Sequence, residues 1–308
     1  MELAPSDYLV GTGGWAYFNV PEKQVLRTYS QLFNFVEVNY TFYEYPEVRR
    51  VEGWRKAVPS NFVFSVRCHQ DLTHKIGLRP TDEAHNVLNQ MLGYCEVLNA
   101  PFLVLETPVG YAMSKQEVKK ARDLISSSNL EGVRMVWEIR APLTSFVSDL
   151  MRDFNIVHCV DLSRAEPCFD SDVVYSRLFG KGLHNIYQFT DEELIEIDEK
   201  ANKHRGKIMA LSYHGLRMNT DAARFVHYKK TGEFMQATPF TGVESIRAVL
   251  SEDAKFPSSR EDLAAHQGWK VVDVTANRRV RLYELLSKIS DKTYGSVDEA
   301  VAALETVI

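Results

Sequence analysis

Short runs rich in β-branched, aromatic and other apolar residues alternate with amphipathic stretches from the start of the chain to about residue 235. Repetition of this kind builds a parallel sheet, because parallel strands need a crossover connection and a helix is the usual one. Eight runs have strand character: Tyr8 to Gly11, Phe35 to Asn39, Phe62 to Arg67, Phe102 to Leu105, Arg134 to Ile139, Ile156 to Asp161, Val173 to Leu178 and Lys207 to Ser212. Between them Val25, Tyr29, Leu32 and Phe33 fall on one helical face, as do Leu88, Met91, Leu92 and Cys95, and then Val118, Ala121 and Ile125. Further helices are expected near Asp191, with Leu194, Ile195 and Ile197, and near Asp221, with Ala222, Phe225 and Val226, each opened by a residue type suited to an N-cap. Only the link Leu162 to Asp172 is too short and polar to read as a helix. Eight strands with mostly helical crossovers in ~235 residues predict an α/β fold, a (β/α)8 TIM-type barrel, better than an open doubly wound sheet.

Gly11-Thr12-Gly13-Gly14 superficially looks like a nucleotide-binding loop. It lacks the G-x-G-x-x-G spacing and is followed by Trp15, Tyr17 and Phe18 rather than by a helix start, which argues against dinucleotide binding. The pattern changes at Gln236 to Gly242, read as a linker, so that residues 1–235 form the barrel and 236–308 the linker and a small helical module. In that tail Ser258 with Glu261 and Ser296 with Glu299 have capping-box spacing, and Leu282, Leu285, Leu286 and Ile289 make a helical stripe.

Composition narrows the function classes only a little. The 308 residues carry a net charge of −5, a weak argument against a surface built to wrap a phosphate backbone. Cys68, Cys95, Cys159 and Cys168 form no C-x-x-C pair, so neither structural zinc nor a disulfide framework is indicated. The N-terminus lacks the basic stretch, apolar core and small-residue cleavage site of a secretory signal, and no apolar run is long enough to span a bilayer. A cytoplasmic protein without a membrane partner is the expectation.

Side chains two apart near a strand end project to the same side, so strand ends indicate candidate chemistry. The second run ends Glu37-Val38-Asn39, the third Arg67-Cys68-His69, the fifth Glu138-Ile139-Arg140 and the eighth Ser212-Tyr213-His214, while Glu106, Asp161 and Arg177 end or nearly end others. In a barrel these converge. A ring of Glu37, Glu106, Glu138 and Asp161 with Arg67, Arg140 and Arg177 suits binding and polarising a polar or anionic substrate, although barrel interiors also hold such pairs as structural salt bridges.

Three chemistries could use the set. Two carboxylates among Glu37, Glu106 and Glu138 could act on a glycosidic bond. Carboxylates with His69, His74, His158 or His214 could hold a divalent metal that activates water. Or the arginines could clamp a phosphate while one carboxylate moves a proton. His74 follows the third run in a loop, a position suited to function, whereas His158 lies in an apolar strand and His85, His184, His204, His227 and His266 read as solvent-facing. Trp15, Tyr17, Tyr40, Phe42, Tyr43 and Tyr45 cluster after the first two runs, as a stacking wall for a sugar or base or as packing.

The blocks Gly11-Thr12-Gly13-Gly14-Trp15, Val36-Glu37-Val38-Asn39-Tyr40-Thr41-Phe42-Tyr43 and Phe62 to Arg67 followed by Thr73-His74 resemble the YecE-like family, domain of unknown function 72. So do Trp137-Glu138-Ile139-Arg140, Val160-Asp161 and Tyr175 to Gly180, and the likeness spans roughly residues 8 to 235. The resemblance implies a TIM-type barrel, similar in fold to the xylose isomerase and endonuclease IV group, and no established reaction. Its pattern singles out Glu37, Asn39, His74, Glu138, Arg140, Asp161 and Arg177. Departures from it are Arg67 for the usual Lys, Glu106 for Gln, Phe179 for His, and Ser212-Tyr213-His214 for an Asn-rich segment. An arginine at position 67 removes a Schiff-base or proton-shuttling role there, since it stays protonated. The tail, from Phe256 to Leu263 and Asp291 to Ser296, resembles the small helical domain of unknown function 2795.

These readings lead to an expected hydrolase or isomerase acting on a polar or phosphorylated substrate. Glu37, Glu138, Asp161 and His74 are the catalytic candidates, and Asn39, Trp15, Tyr43, Arg67, Arg140 and Arg177 are the substrate-binding ones. The alternative from another class is a non-catalytic nucleic-acid-binding protein whose arginines meet phosphate and whose aromatics stack bases.

Overall fold

The computed structural model describes residues 8–18, 24–130, 132–203 and 208–308. Its first part alternates β1 (Tyr8–Thr12), α1 (Val25–Leu32), β2 (Phe35–Val38), α2 (Val48–Lys56), β3 (Val63–Arg67), α3 (Asp82–Leu98), β4 (Phe102–Glu106), α4 (Lys115–Ser126), β5 (Arg134–Glu138) and α5 (Ser145–Asp153). There follow β6 (Val157–Cys159), β7 (Val173–Leu178), α6 (Asp191–Asn202), β8 (Ile208–Tyr213) and α7 (Met218–Thr231). The eight strands are parallel, in the order β6-β5-β4-β3-β2-β1-β8-β7, and an isolated bridge between Val160 and Ser176 joins the two ends. This is a TIM barrel, nearly closed. The closing seam is thin because β6 has only three residues, and two further bonds supplement it: the Arg177 backbone N–H donates to the Val160 carbonyl at 3.2 Å and the Leu162 N–H to Ser176 Oγ at 3.1 Å.

Several element boundaries differ from the sequence expectation, each for a local reason. β2 stops at Val38 because Asn39–Phe42 form a 3-10 turn, and β6 is shorter than Ile156 to Asp161 because Asp161 opens a turn with Ser163. Lys207, expected to open the eighth strand, and His204 lie outside the described residues. In α1 Leu26 and Tyr29 face inward, whereas Leu32 is 53% exposed and does not belong to the buried face. Asp221 is no N-cap: it lies inside α7, buried, with its carboxylate on Arg224 at 3.1 Å. α2, not marked by any stripe, buries only Val51 fully, and α5, nine residues long, buries Val147, Leu150 and Met151.

The barrel interior explains where chemistry can sit. Leu9, Phe35, Val63, Phe102, Val104, Val136, Val157, Cys159, Val173, Tyr175 and Ala210 pack together as one buried cluster inside the strands. Successive inward positions on a strand are two residues apart, so the same rows continue to Glu37, Ser65 and Arg67, Glu106, Glu138, Arg177 and Ser212 at the C-terminal ends. Apolar layers fill the lower barrel; a charged layer caps it.

The chain divides into two compact units, Met1–Leu178 with Lys200–Tyr213, and Phe179–Glu199 with His214–Ile308. The second has its own core of Ile246, Val249, Leu250, Leu263, Val272, Leu282, Leu285, Leu286, Ile289, Val301 and Leu304. Besides α8 (Val243–Asp253), α9 (Arg260–Gln267), α10 (Leu282–Leu286) and α11 (Val297–Glu305), the tail contains two small antiparallel ladders. The Ser296 cap of α11 is present, accepting Glu299 N–H at 3.2 Å, while α9 is capped by Ser259 through Asp262 rather than by Ser258 through Glu261. Bonds from Val271 to Gln188 and from Arg281 to Glu193 knit the tail to residues 188–193, so the second unit takes in that stretch as well. No helix among the described residues is long and apolar enough to cross a membrane.

Gly11, the first glycine of the loop-like motif, is a strand residue. A Cβ there would lie 1.9 Å from the Phe35 carbonyl oxygen of the neighbouring strand, a clash with backbone that cannot swing away. Gly11→Ala should therefore cost about 3 kcal/mol or prevent folding, as overpacking of a rigid site does. Urea unfolding checks this, and a variant of unchanged midpoint would contradict so close an approach of β1 and β2.

Candidate functional site: an arginine and carboxylate cluster at the barrel mouth

The register of the sheet sets Glu106 directly beside Glu138 on adjacent parallel strands. Like charges so placed repel, and nothing apolar can relieve them. Two arginines do. Arg140, two residues beyond Glu138 and on the same side of its strand, donates Nε to Glu138 Oε1 at 2.7 Å and has Nη1 3.0 Å from Glu106 Oε1. From β7, across the closing seam, Arg177 Nη1 donates to Glu106 Oε2 at 2.5 Å and also to Glu138 Oε2. Each carboxylate is thus gripped on both oxygens.

The network continues around the ring. Arg177 Nε donates to Glu37 Oε1 at 3.1 Å, and the Tyr175 hydroxyl donates to Glu37 Oε2 at 2.9 Å, leaving Ser65 Oγ, 2.7 Å away, to donate to the tyrosine oxygen. Arg67 Nη2 donates to Glu106 Oε2 at 2.5 Å and Nη1 to Asn39 Oδ1 at 2.9 Å, and Asn39 Nδ2 in turn donates to the Gly13 carbonyl at 3.0 Å. The Arg67 guanidinium also lies 3.7 Å from the centre of the Phe42 ring. Glu37, Glu106 and Glu138 are balanced by Arg67, Arg140 and Arg177, so the cluster is neutral as built.

Burial grades the members. The side chains of Arg177 and Arg67 are 2% and 7% exposed, against 31% for Arg140. Among the acids Glu37 and Glu106 are sealed, while Glu138 keeps 13% of its side chain open. Burial alone would raise the Glu138 pKa; the charges of Arg177 and Arg140 and their hydrogen bonds outweigh it and hold the carboxyl below its usual range. Arg177 is displaced the other way: burial disfavours its charge, but Glu37, Glu138 and Glu106 together hold it protonated far above its ordinary value.

His74 sits on a single π-helical turn, Asp71–Lys75, that follows β3, with Nδ1 2.9 Å from the Thr73 hydroxyl and its ring edge-on to Phe42 at 5.2 Å. Burial lowers its pKa, Glu106 opposes that, and Arg67 and Arg140 add to it, so the ring is neutral at pH 7. The same influences place it beside the cluster. Tyr43 is 59% exposed and leans on Phe42 with ring centres 5.0 Å apart.

The remaining expected site residues have other contacts. Asp161 Oδ1 accepts the Ser163 N–H and hydroxyl at 2.9 and 2.6 Å, and Arg164 Nε lies 3.7 Å from its Oδ2. Trp15 packs edge-on against Trp54 and lines a separate cavity of about 370 Å³ with Gln24, Leu26 and Arg27. His69 stacks on Tyr45 and accepts the Asp71 N–H, His158 accepts the Cys168 N–H, and His214 packs at a tilt on Phe179. Tyr175 and Ser65 were not picked out, although each lies two residues before an arginine on an inward row; parity along the strand was the signal available.

The donor set does not fit a divalent metal. Among the described residues no group of three or more His, Cys, Asp and Glu side chains is arranged to hold one. The physical cause is visible: Arg177 Nη1 already bonds both Glu106 and Glu138, occupying the position from which a cation would bridge them. What the arrangement can do is hold an anion at its most open guanidinium and exchange protons at Glu138 or His74.

The family described as protein of unknown function DUF72 matches residues 9–230. A DUF72 family protein from Thermotoga maritima is 20% identical, with a TM-score of 0.57 over 72% of this chain and 98% of that one. One from Enterococcus faecalis is 16% identical, with a TM-score of 0.56 over 73% and 97%. Endonuclease IV from Thermus thermophilus aligns over 72% and 98% at 13% identity, with a TM-score of 0.44. No curated protein matches the chain.

Arg177→Gln removes the cation shared by three carboxylates and leaves them buried without it, so it should cost about 3–5 kcal/mol. Denaturant unfolding beside Arg140→Gln, whose partly open side chain should matter much less to stability, checks that ranking. The acid limb carries a second expectation. Glu138 titrates lower folded than unfolded, so its stabilisation is complete above about pH 4.3 and is lost as pH falls through the depressed folded value. Glu138→Gln should flatten the dependence of stability on pH in that range; identical acid limbs in both proteins would show that the carboxyl is not held down.

Proposed function

The chain belongs to the DUF72 family of proteins of unknown function, and on that footing we propose that its barrel mouth binds the anionic group of a small polar metabolite and performs proton-transfer chemistry on it. The observation that carries this reading is Arg140: of the three arginines in the cluster it alone has a substantially open side chain, and two carboxylates hold its guanidinium in place. A planar guanidinium fork that is partly open can meet phosphate or carboxylate through two parallel N–H donors. Neutral His74 beside it is suited to accept a proton, and exposed Tyr43 to cover one face of the bound molecule. Hydrolysis or isomerisation of a phosphorylated or carboxylated compound, in the cytoplasm, is the reaction class this favours.

Asn39 and Arg67 act in this reading as the frame that fixes the mouth, and Glu37 holds Arg177. Phosphorylated sugars and short carboxylic acids, tested as a panel by calorimetry and thermal shift, should contain binders. Arg140→Gln should weaken them by about 10- to 100-fold, the worth of a charge-assisted hydrogen bond. If no member of the panel binds, and single-stranded oligonucleotides bind with an affinity that falls steeply with salt, the protein is a nucleic-acid binder instead.

A further inference from the structure

Neutrality of the cluster has a chemical consequence when an anion arrives. Arg140 is the most open cation of the cluster and bonds Oε1 of both Glu106 and Glu138 through one guanidinium, so an anion that engages it competes directly with those two carboxylates. We infer that Arg140 is a displaceable cation: an anionic substrate draws its guanidinium away, and Glu138 then takes up a proton. The inference rests on the anion-binding reading above and deepens it by assigning Glu138 a role that only a charged substrate switches on.

Once Arg140 is drawn off, three carboxylates face two arginines. Glu106 and Glu138 remain side by side in register with Arg177 between them, the arrangement in which two acids share a site and one of them becomes hard to ionise. Which one protonates follows from the remaining partners. Glu106 keeps Arg67 as well as Arg177, each at 2.5 Å, and is sealed; Glu138 keeps Arg177 and is the more open of the two. The other groups around Glu138 agree with this direction. Cys159 of β6, its partner in register, is held as the neutral thiol chiefly by burial, with Glu138 adding to the effect. Glu37 of β2 adds negative charge through the shared Arg177, while His74, neutral, supplies no cation.

With a reacting substrate the proton comes from the substrate's own C–H or O–H group: that bond breaks, its electron pair stays on the substrate, and the new O–H bond forms at Glu138. With an inert anion the proton comes from the buffer. A neutral analogue would leave Arg140 where it is and Glu138 ionised, so the device rejects uncharged substrates at the chemical step as well as in binding.

Inorganic sulfate, which does not itself titrate near neutrality, is the probe. Calorimetry of sulfate binding to the full chain, in buffers of differing ionisation enthalpy between about pH 5 and 7, reads the protons taken up. Uptake approaching one proton per sulfate at the acid end, with affinity falling by up to about tenfold per pH unit, is expected. It should be lost in Glu138→Gln and retained in His74→Gln. Uptake retained in Glu138→Gln and lost in His74→Gln would overturn the assignment to Glu138. Sulfate binding that depends on Arg140 but takes up no proton would overturn the displacement while leaving the anion site standing. Absence of binding, or binding indifferent to Arg140→Gln, would overturn both.

Discussion

Glu106 and Glu138 stand next to each other because β4 and β5 are in parallel register, and the charge arrangement at the mouth answers to that fact. Two adjacent carboxylates in a barrel closed to water on its lower side would protonate unless each had cationic partners. Arg140 supplies them from just beyond β5 and Arg177 from β7 across the closing seam, and holding Arg177 in turn requires Glu37, Tyr175 and Ser65 behind it. Buried pairs of this kind add little net stability, since desolvation offsets most of the attraction, but removal of one partner is costly. The cluster is therefore better understood as a fixed geometry than as a source of stability.

That geometry depends on the thin seam of the barrel. Arg177 reaches the Glu106 and Glu138 pair from β7, on the far side of the closure from β5 and β6, and β6 offers only three strand residues for pairing. The Val160 to Ser176 bridge, with the Ser176 hydroxyl accepting from Leu162, lies immediately before Arg177 and sets its height in the barrel. On the opposite flank, the close approach of Gly11 to Phe35 brings β1 and β2 together and lets Asn39 reach the Gly13 carbonyl. Backbone features at two places thus determine where one guanidinium and one amide point.

Much of this was legible in the sequence for a simple reason: inward rows on strands have a period of two, and polar residues on those rows gather near the C-terminal ends, with Arg134 at the start of β5 an exception that pairs at the other end of the barrel. Glu37, Arg67, Glu106, Glu138, Arg140 and Arg177 could be named in that way and are brought together in one cluster. Pairing could not be named, because it depends on register between strands far apart in the chain, and it is pairing that removes the carboxylates from metal binding. Asp161 was read by the same rule and met a turn instead, where Ser163 supplies local bonds that a strand would not have offered. Trp15 shows the limit for loops, which have no period; its partner Trp54 comes from a helix with one fully buried side chain and no stripe to announce it. Leu32 differs for another reason: the buried face of α1 runs through Leu26, Tyr29 and Phe33, at i, i+3 and i+7, and Leu32 lies off it.

A neutral cluster in a protein of net charge −5 offers anions little long-range attraction. On the anion-binding proposal, recognition comes from short-range exchange, in which an incoming anion matches what Glu106 and Glu138 already give Arg140. Such exchange favours ligands that present two oxygens to the guanidinium fork and disfavours single-oxygen or neutral ones, because the carboxylates they would displace are themselves good partners. It also makes selectivity a property of the whole ring. Tighter holding of Arg140 would exclude weak anions but slow the productive ones, and looser holding would leave the two acids to protonate without a substrate. On the displacement proposal, one arginine sealed between the acids and one left partly open above them let the mouth stay charged and intact while empty and change its protonation when filled.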